Sequence, residues 1–99
     1  MARHAVFKNP NGAGFVLDVQ NDILDMVAVR VVVPLLPAAK YTKIAQRLNP
    51  EFEIGDKRYM MLTQLIAAIP VRELGERVAT LKNHQDTITE ALDMLFQGF

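Results

Sequence analysis

Ninety-nine residues, 51% of them apolar, make one domain over residues 1–99 with a modest core. Eleven basic and eleven acidic side chains cancel to a formal charge of zero. That balance argues against nucleic acid as the main partner, because such binding rests on a basic patch that neutralises phosphates.

The chain has no cysteine, so it has neither disulfides nor thiolate chemistry, which fits a reducing cytoplasm. Met1 to Gly12 lacks the apolar stretch of a signal peptide. The longest apolar run, Met26 to Ala39, is fourteen residues and contains Arg30, Pro34 and Pro37, too short and too interrupted to span a bilayer. The expectation is a soluble cytoplasmic domain with no membrane contact.

Ala5 to Lys8 reads as a first strand, and Asn9-Pro10-Asn11-Gly12 as a hairpin turn, Asn-Gly being the strongest two-residue signal. Phe15, Leu17 and Val19 alternate with Val16, Asp18 and Gln20, which predicts a return strand with one apolar and one partly polar face. Asn21-Asp22 breaks that pattern. Val27 to Val33 is rich in β-branched residues and predicts a central strand, ended by Pro34.

Pro37 to Leu48 reads as a loop with one or two helical turns, from the spacing of Tyr41, Ile44, Ala45 and Leu48. Glu51 to Ile54 and Arg58 to Thr63 flank Gly55-Asp56-Lys57 as a second hairpin. Leu65 to Ile69 and Val71 to Leu74 are further short strands separated by Pro70, with Gly75 closing the β region. Asn83 then caps a terminal helix of about 20 Å, with Asp86 as capping-box partner. Leu81, Ile88, Leu92 and Leu95 form its apolar stripe beside Ala91, and Lys82, Thr87, Glu90 and Asp93 its polar face. The fold class is mainly β with one C-terminal α-helix, a small, strongly bent antiparallel sheet or partly open barrel with the helix laid on it.

Enzyme signatures are absent. Gly12-Ala13-Gly14 is too short for a phosphate loop and lacks the following Lys-Ser/Thr. An EF-hand loop counted from Asp18 needs Gly at 23 and Glu at 29, where the chain has Ile23 and Val29, so Asp18, Asp22 and Asp25 read as a solvated turn. His4 and His84 read as surface residues, and Arg30, Arg72 and Glu73 as surface salt-bridge partners rather than an acid/base set. No catalytic residue, metal or cofactor is expected. Met60 and Met61 read as core filler.

The distinctive residues are apolar side chains outside the pattern. Ile23 and Leu24 lie between acids at a turn, and burial and exposure to a protein partner are both open. Phe96 at the edge of the helical stripe is equally open. Phe99, beside Gly98, has nothing after it to pack against, which favours contact with another chain.

The run Phe15-Val16-Leu17-Asp18-Val19-Gln20-Asn21-Asp22-Ile23-Leu24-Asp25, then Arg30 to Leu35, Ile54-Gly55-Asp56, Met60 to Thr63 and Ile69-Pro70-Val71, resembles the CcdB family of toxins from toxin–antitoxin modules. Ala91 to Phe99 also resembles that family's ending, so the likeness runs the whole chain in order. The resemblance implies an SH3-like barrel with a C-terminal helix, a symmetric homodimer, and a non-enzymatic poison that binds the A subunit of DNA gyrase and traps the cleaved DNA complex. It further implies a cognate CcdA-like antitoxin whose disordered segment folds on binding. Family gyrase contacts carry over to Gln97, Gly98 and Phe99, with Phe96, Asp93, Ile23 and Leu24.

Gln97 stands where the best-known pattern has Trp, Asp93 where it has Asn, and Phe99 where it has Ile. An aromatic anchor is lost at the first position and a negative charge gained at the second. Two rivals remain: an mRNA endoribonuclease of the related MazF/Kid type, with Arg72, Glu73 and His84 as the residues to test, and a non-toxic dimer that only binds antitoxin.

Overall fold

The structure, a computed structural model, describes residues 3–24 and 26–98. Its first hairpin pairs β1 (Ala5–Lys8) with β2 (Phe15–Asp18), Val6 opposite Leu17. The connection is longer than the two-residue turn that Asn11-Gly12 suggests, because Asn9 organises it. Its N–H donates to the Gly14 carbonyl at 3.1 Å, its side-chain amide donates to the Ala13 carbonyl at 3.1 Å, and its Oδ1 accepts from the Asn11 N–H at 2.9 Å. This self-bonding by Asn stabilises a wider loop at little cost.

β3 (Val29–Pro37) is nine residues long and organises the sheet. On one side it pairs with β2; on the other it pairs with β6 (Ala67–Pro70) through Val29 to Val32 and with β5 (Lys57–Met61) through Leu35 to Pro37. Pro34 therefore does not end the strand, contrary to the expectation from the sequence. It sits between the two partners, where no ladder N–H is required, and its carbonyl accepts from the Leu62 N–H at 3.0 Å. That change of partner along one strand curls the sheet. β4 (Glu51–Ile54) closes the second hairpin through Gly55-Asp56, with φ 67° at Gly55.

The second half departs most from expectation. Val71 to Glu73 forms a single 3-10 turn, not a strand. Beyond Gly75, β7 (Arg77–Thr80) adds to the free edge of β1, so Gly75 does not close the β region. The resulting sheet has seven antiparallel strands in the order β4-β5-β3-β2-β1-β7, with β6 beside β3.

Alternation on β1, β2 and β3 buries both faces. Val6, Leu17, Val33 and Leu35 join Phe52, Met61 and Leu81 in the main core. Ala5, Phe7, Val16 and Val32 join Ile69 on the opposite side, where Leu74 packs. Met60 and Met61 are buried, as expected of core filler.

The helix α1 (Gln85–Gln97) covers the main core with Ile88 and Ala91, both fully buried, and half-buried Leu92. Burial of an Ile side chain of this kind contributes about 1.5–3 kcal/mol. Thr87 and Glu90 face out. Asn83 does not cap α1, because Lys82 to His84 forms a 3-10 turn and the helix starts one residue later, with His84 in the cap position and no side-chain cap. No described helix is long and apolar enough to cross a membrane.

Candidate partner-binding surface

Asp18, the last residue of β2, and Gln20, two residues beyond it, lie on the side that the sequence marks as partly polar and are buried. They do not meet water because Arg30 of β3, fully buried, reaches across to them. Its Nε donates to Asp18 Oδ2 at 2.8 Å and its Nη2 to Asp18 Oδ1 at 2.9 Å and to the Gln20 carbonyl at 3.2 Å. Arg30 is thus a core ion pair rather than a surface one, and Asp18 belongs to that pair rather than to a solvated turn; Asp25 lies outside the described residues. Buried polar groups of this kind are held by partners of matched charge and geometry.

This network supports the turn that follows. Gln20 Oε1 accepts from the Val31 N–H at 3.0 Å, and its Nε2 donates to the Leu24 carbonyl at 3.1 Å. Asp22 Oδ1 accepts from the Arg3 backbone N–H at 2.8 Å and lies 3.4 Å from Arg30 Nη2. Asn21 Oδ1 accepts from the Ile23 N–H at 2.9 Å, and the Leu24 N–H donates to the Asn21 carbonyl at 3.0 Å, closing a 3-10 turn over Asp22–Leu24. These bonds hold the turn in a conformation that leaves its apolar side chains pointing out. Ile23 is 84% and Leu24 49% exposed, so neither is buried in the core.

Exposure continues past Asp25 into Met26, 98% exposed, and Val27. Sequence reasoning missed both, since it assigned Val27 to the central strand. The neighbouring Ile23-Leu24 pair is the signal that pointed to them.

At the other end of the chain, Asp93, Phe96 and Gln97 are spaced i, i+3, i+4 on α1 and share a face. Phe96 is 69% exposed, Gln97 is exposed and Asp93 half-buried. Gly98 terminates the helix at φ 80°, donating its N–H to the Met94 carbonyl at 3.0 Å. Phe99 lies outside the described residues. The helix-end group and Ile23-Leu24 occupy separate elements, and no hydrogen bond or ion pair joins them among the described residues.

The other charged candidates do not converge. Arg72 and Glu73 are exposed on the 3-10 turn after β6, and no hydrogen bond or ion pair joins either to His84. His84 is exposed and rests its ring 5.1 Å from that of Phe52. His4, in contrast to the expected surface position, is buried with a left-handed φ of 73°. Burial lowers its pKa, with Arg3 as the second cause.

The CcdB protein family model matches residues 3–98. A solved structure of an endoribonuclease in complex with its cognate antitoxin, from a mycobacterial species, superposes with a TM-score of 0.77 at 20% identity, covering 97% of this chain and 94% of that one. At that identity the likeness concerns the fold, a curled antiparallel half-barrel with one C-terminal helix. The family match over nearly the whole chain places the protein in the CcdB family of toxins from toxin–antitoxin systems.

Proposed function

We propose that the protein is a gyrase poison: a cytoplasmic homodimer that binds the A subunit of DNA gyrase, holds the cleaved DNA complex open, and is neutralised by a cognate antitoxin. No bond is made or broken by the toxin in this reading. The observation that carries it is the exposure of Ile23, 84%, and Phe96, 69%, at positions where the family resemblance puts apolar partner contacts. They coincide with family gyrase contacts, as do Leu24, Asp93, Gln97, Gly98 and Phe99.

Purified protein incubated with gyrase and supercoiled DNA should yield linear DNA after detergent and protease treatment, and should retain the gyrase A subunit in a pull-down. Deletion of Gln97 to Phe99 should abolish both effects and leave a folded dimer. The rival reading as an mRNA endoribonuclease is tested by incubating the same preparation with RNA. RNA fragments without linear DNA would reverse the assignment, and antitoxin binding with neither activity would identify a dimer that only binds antitoxin.

A further inference from the structure

A pocket of about 470 Å³ opens where the segment before β1 meets β7 and the start of α1. Its charged lining is Arg3, Arg77 and Lys82 with the single carboxylate of Asp22, and His4 forms part of its wall. The carboxylate is already occupied by the Arg3 N–H and by Arg30. Neither Arg77 nor Lys82 has a side-chain hydrogen bond or ion pair with any described residue. Three cations facing one engaged carboxylate, none of them in a side-chain hydrogen bond or ion pair among the described residues, form a site of excess positive charge.

A second observation is independent of that charge. His4 is 5% exposed, and its Nε2 has no hydrogen-bond partner; buried Arg3 Nε has none either. Buried polar atoms in folded proteins are nearly always paired. His4 is also held in place from both sides, its N–H donating to the Asp18 carbonyl at 2.7 Å and its carbonyl accepting from the Leu81 N–H at 2.8 Å. Two unpaired buried nitrogens beside a cationic pocket point to an acceptor group supplied from outside.

The geometry points to a phosphate monoester site, with Arg3, Arg77 and Lys82 holding the phosphate and Thr80 and Gln85 as uncharged neighbours. Charge favours a dianion over a monoanion. Three cations less one carboxylate leave an excess of two, which a phosphate monoester dianion matches; a carboxylate or phosphodiester brings only one. Guanidinium forks suit phosphate oxygens. The start of α1, which has no side-chain cap, adds its positive end, offset in part by Asp86 in the first turn. The pocket is larger than inorganic phosphate requires and falls in the range of small-ligand sites, leaving space for the esterified group.

The test is a titration of the ¹⁵N-labelled full chain, at constant ionic strength, with inorganic phosphate in one arm and adenosine monophosphate in the other. Saturable displacement of the Arg3, His4, Arg77, Thr80 and Lys82 amides is expected, with the monoester tighter. Arg77→Met and Lys82→Met should each weaken binding at least fivefold, with the remaining spectrum unchanged as the check on folding. Arg58→Met, in the separate pocket with Lys43 and Arg47, should leave it unaltered. Shifts that sodium chloride reproduces, that rise without saturation, that survive both substitutions, or that respond to inorganic phosphate but not to the monoester would overturn the proposal.

Discussion

Arg30 grips Asp18 with two charge-assisted hydrogen bonds of 2.8 and 2.9 Å while both side chains are excluded from solvent. Such a pair contributes little net stability compared with apolar residues of the same size, but its rupture is expensive because one charge stays buried without a partner. Asp18→Ala is therefore expected to cost about 3–5 kcal/mol in urea denaturation. The double variant Asp18→Leu with Arg30→Met should be closer to the native protein than Asp18→Ala alone. Equal losses in the two variants would show that the pair also fixes the backbone beyond its charge balance.

The same network marks the limit of what could be read from the chain. Both hairpins, the bent sheet and the apolar stripe of α1 follow from local pattern, because turn chemistry and periodicity act over a few residues. Asp18 and Gln20 alternate with apolar neighbours and so resemble a solvated strand face. Their burial depends on Arg30, twelve residues from Asp18, which no local pattern encodes. Pro34 misled for a related reason: its lack of an N–H matters only where a partner needs one, and that is decided by β5 and β6. The exposed pair Ile23-Leu24 was legible as an anomaly, but its direction was not, because the polar groups that turn it outward come from three segments.

His4 makes stability pH-dependent. Burial, then Arg3, lowers its pKa from 6.5, against the opposing influence of Asp22 and Asp18, and with a smaller lowering by Lys82. The folded state therefore prefers the neutral ring. Stability is complete above the unfolded value of 6.5 and is lost as pH falls below it toward the folded value, since the unfolded chain takes up the proton first. The urea midpoint should fall between about pH 7.5 and about pH 5.5. His4→Asn, which tolerates the left-handed backbone, should flatten that slope. A slope unchanged in His4→Asn would assign it elsewhere. Glu51, held below 4.5 by Lys43 and then Arg58, loses its contribution only at lower pH.

Gly14 and Gly55 both have positive φ, 81° and 67°, but differ in their surroundings. A Cβ at Gly14 would collide with the Leu35 carbonyl oxygen and approach Leu36 Cδ2 at 2.9 Å, whereas one at Gly55 meets nothing within 4 Å. Gly14→Ala should cost about 2–4 kcal/mol, from steric conflict added to backbone strain. Gly55→Ala should cost about 1–2 kcal/mol, from strain alone. Thermal denaturation of both variants distinguishes the two contributions, and equal losses would sink the steric account.

Ile88 tests the helix as a cover for the main core. It is fully buried, while its neighbour Thr87 is exposed. Ile88→Ala should cost about 2–5 kcal/mol. Thr87→Ala should stay within about 0.5 kcal/mol. Comparable effects at the two positions would mean that α1 does not seal the core through this face.

Ile23 and Phe96 should separate binding from folding. Both are large apolar groups whose exposed surface makes few internal contacts, so Ile23→Asp and Phe96→Ala should leave thermal stability within about 0.5 kcal/mol of the native protein. Under the gyrase reading, each is a candidate anchor, and loss of an anchor of this size costs about 2 kcal/mol or more of binding, above a tenfold loss in affinity. Gln97 provides the converse test, because Gln97→Trp restores an aromatic at the same exposed position on α1 and should tighten binding to the gyrase A subunit. Affinity measured by surface plasmon resonance on the four proteins decides the matter. If all four bind alike, the exposed apolar groups serve another partner, and the same variants then report on antitoxin affinity. If only Gln97→Trp binds, the native chain is a family member that has lost its aromatic anchor and kept the fold that presented it.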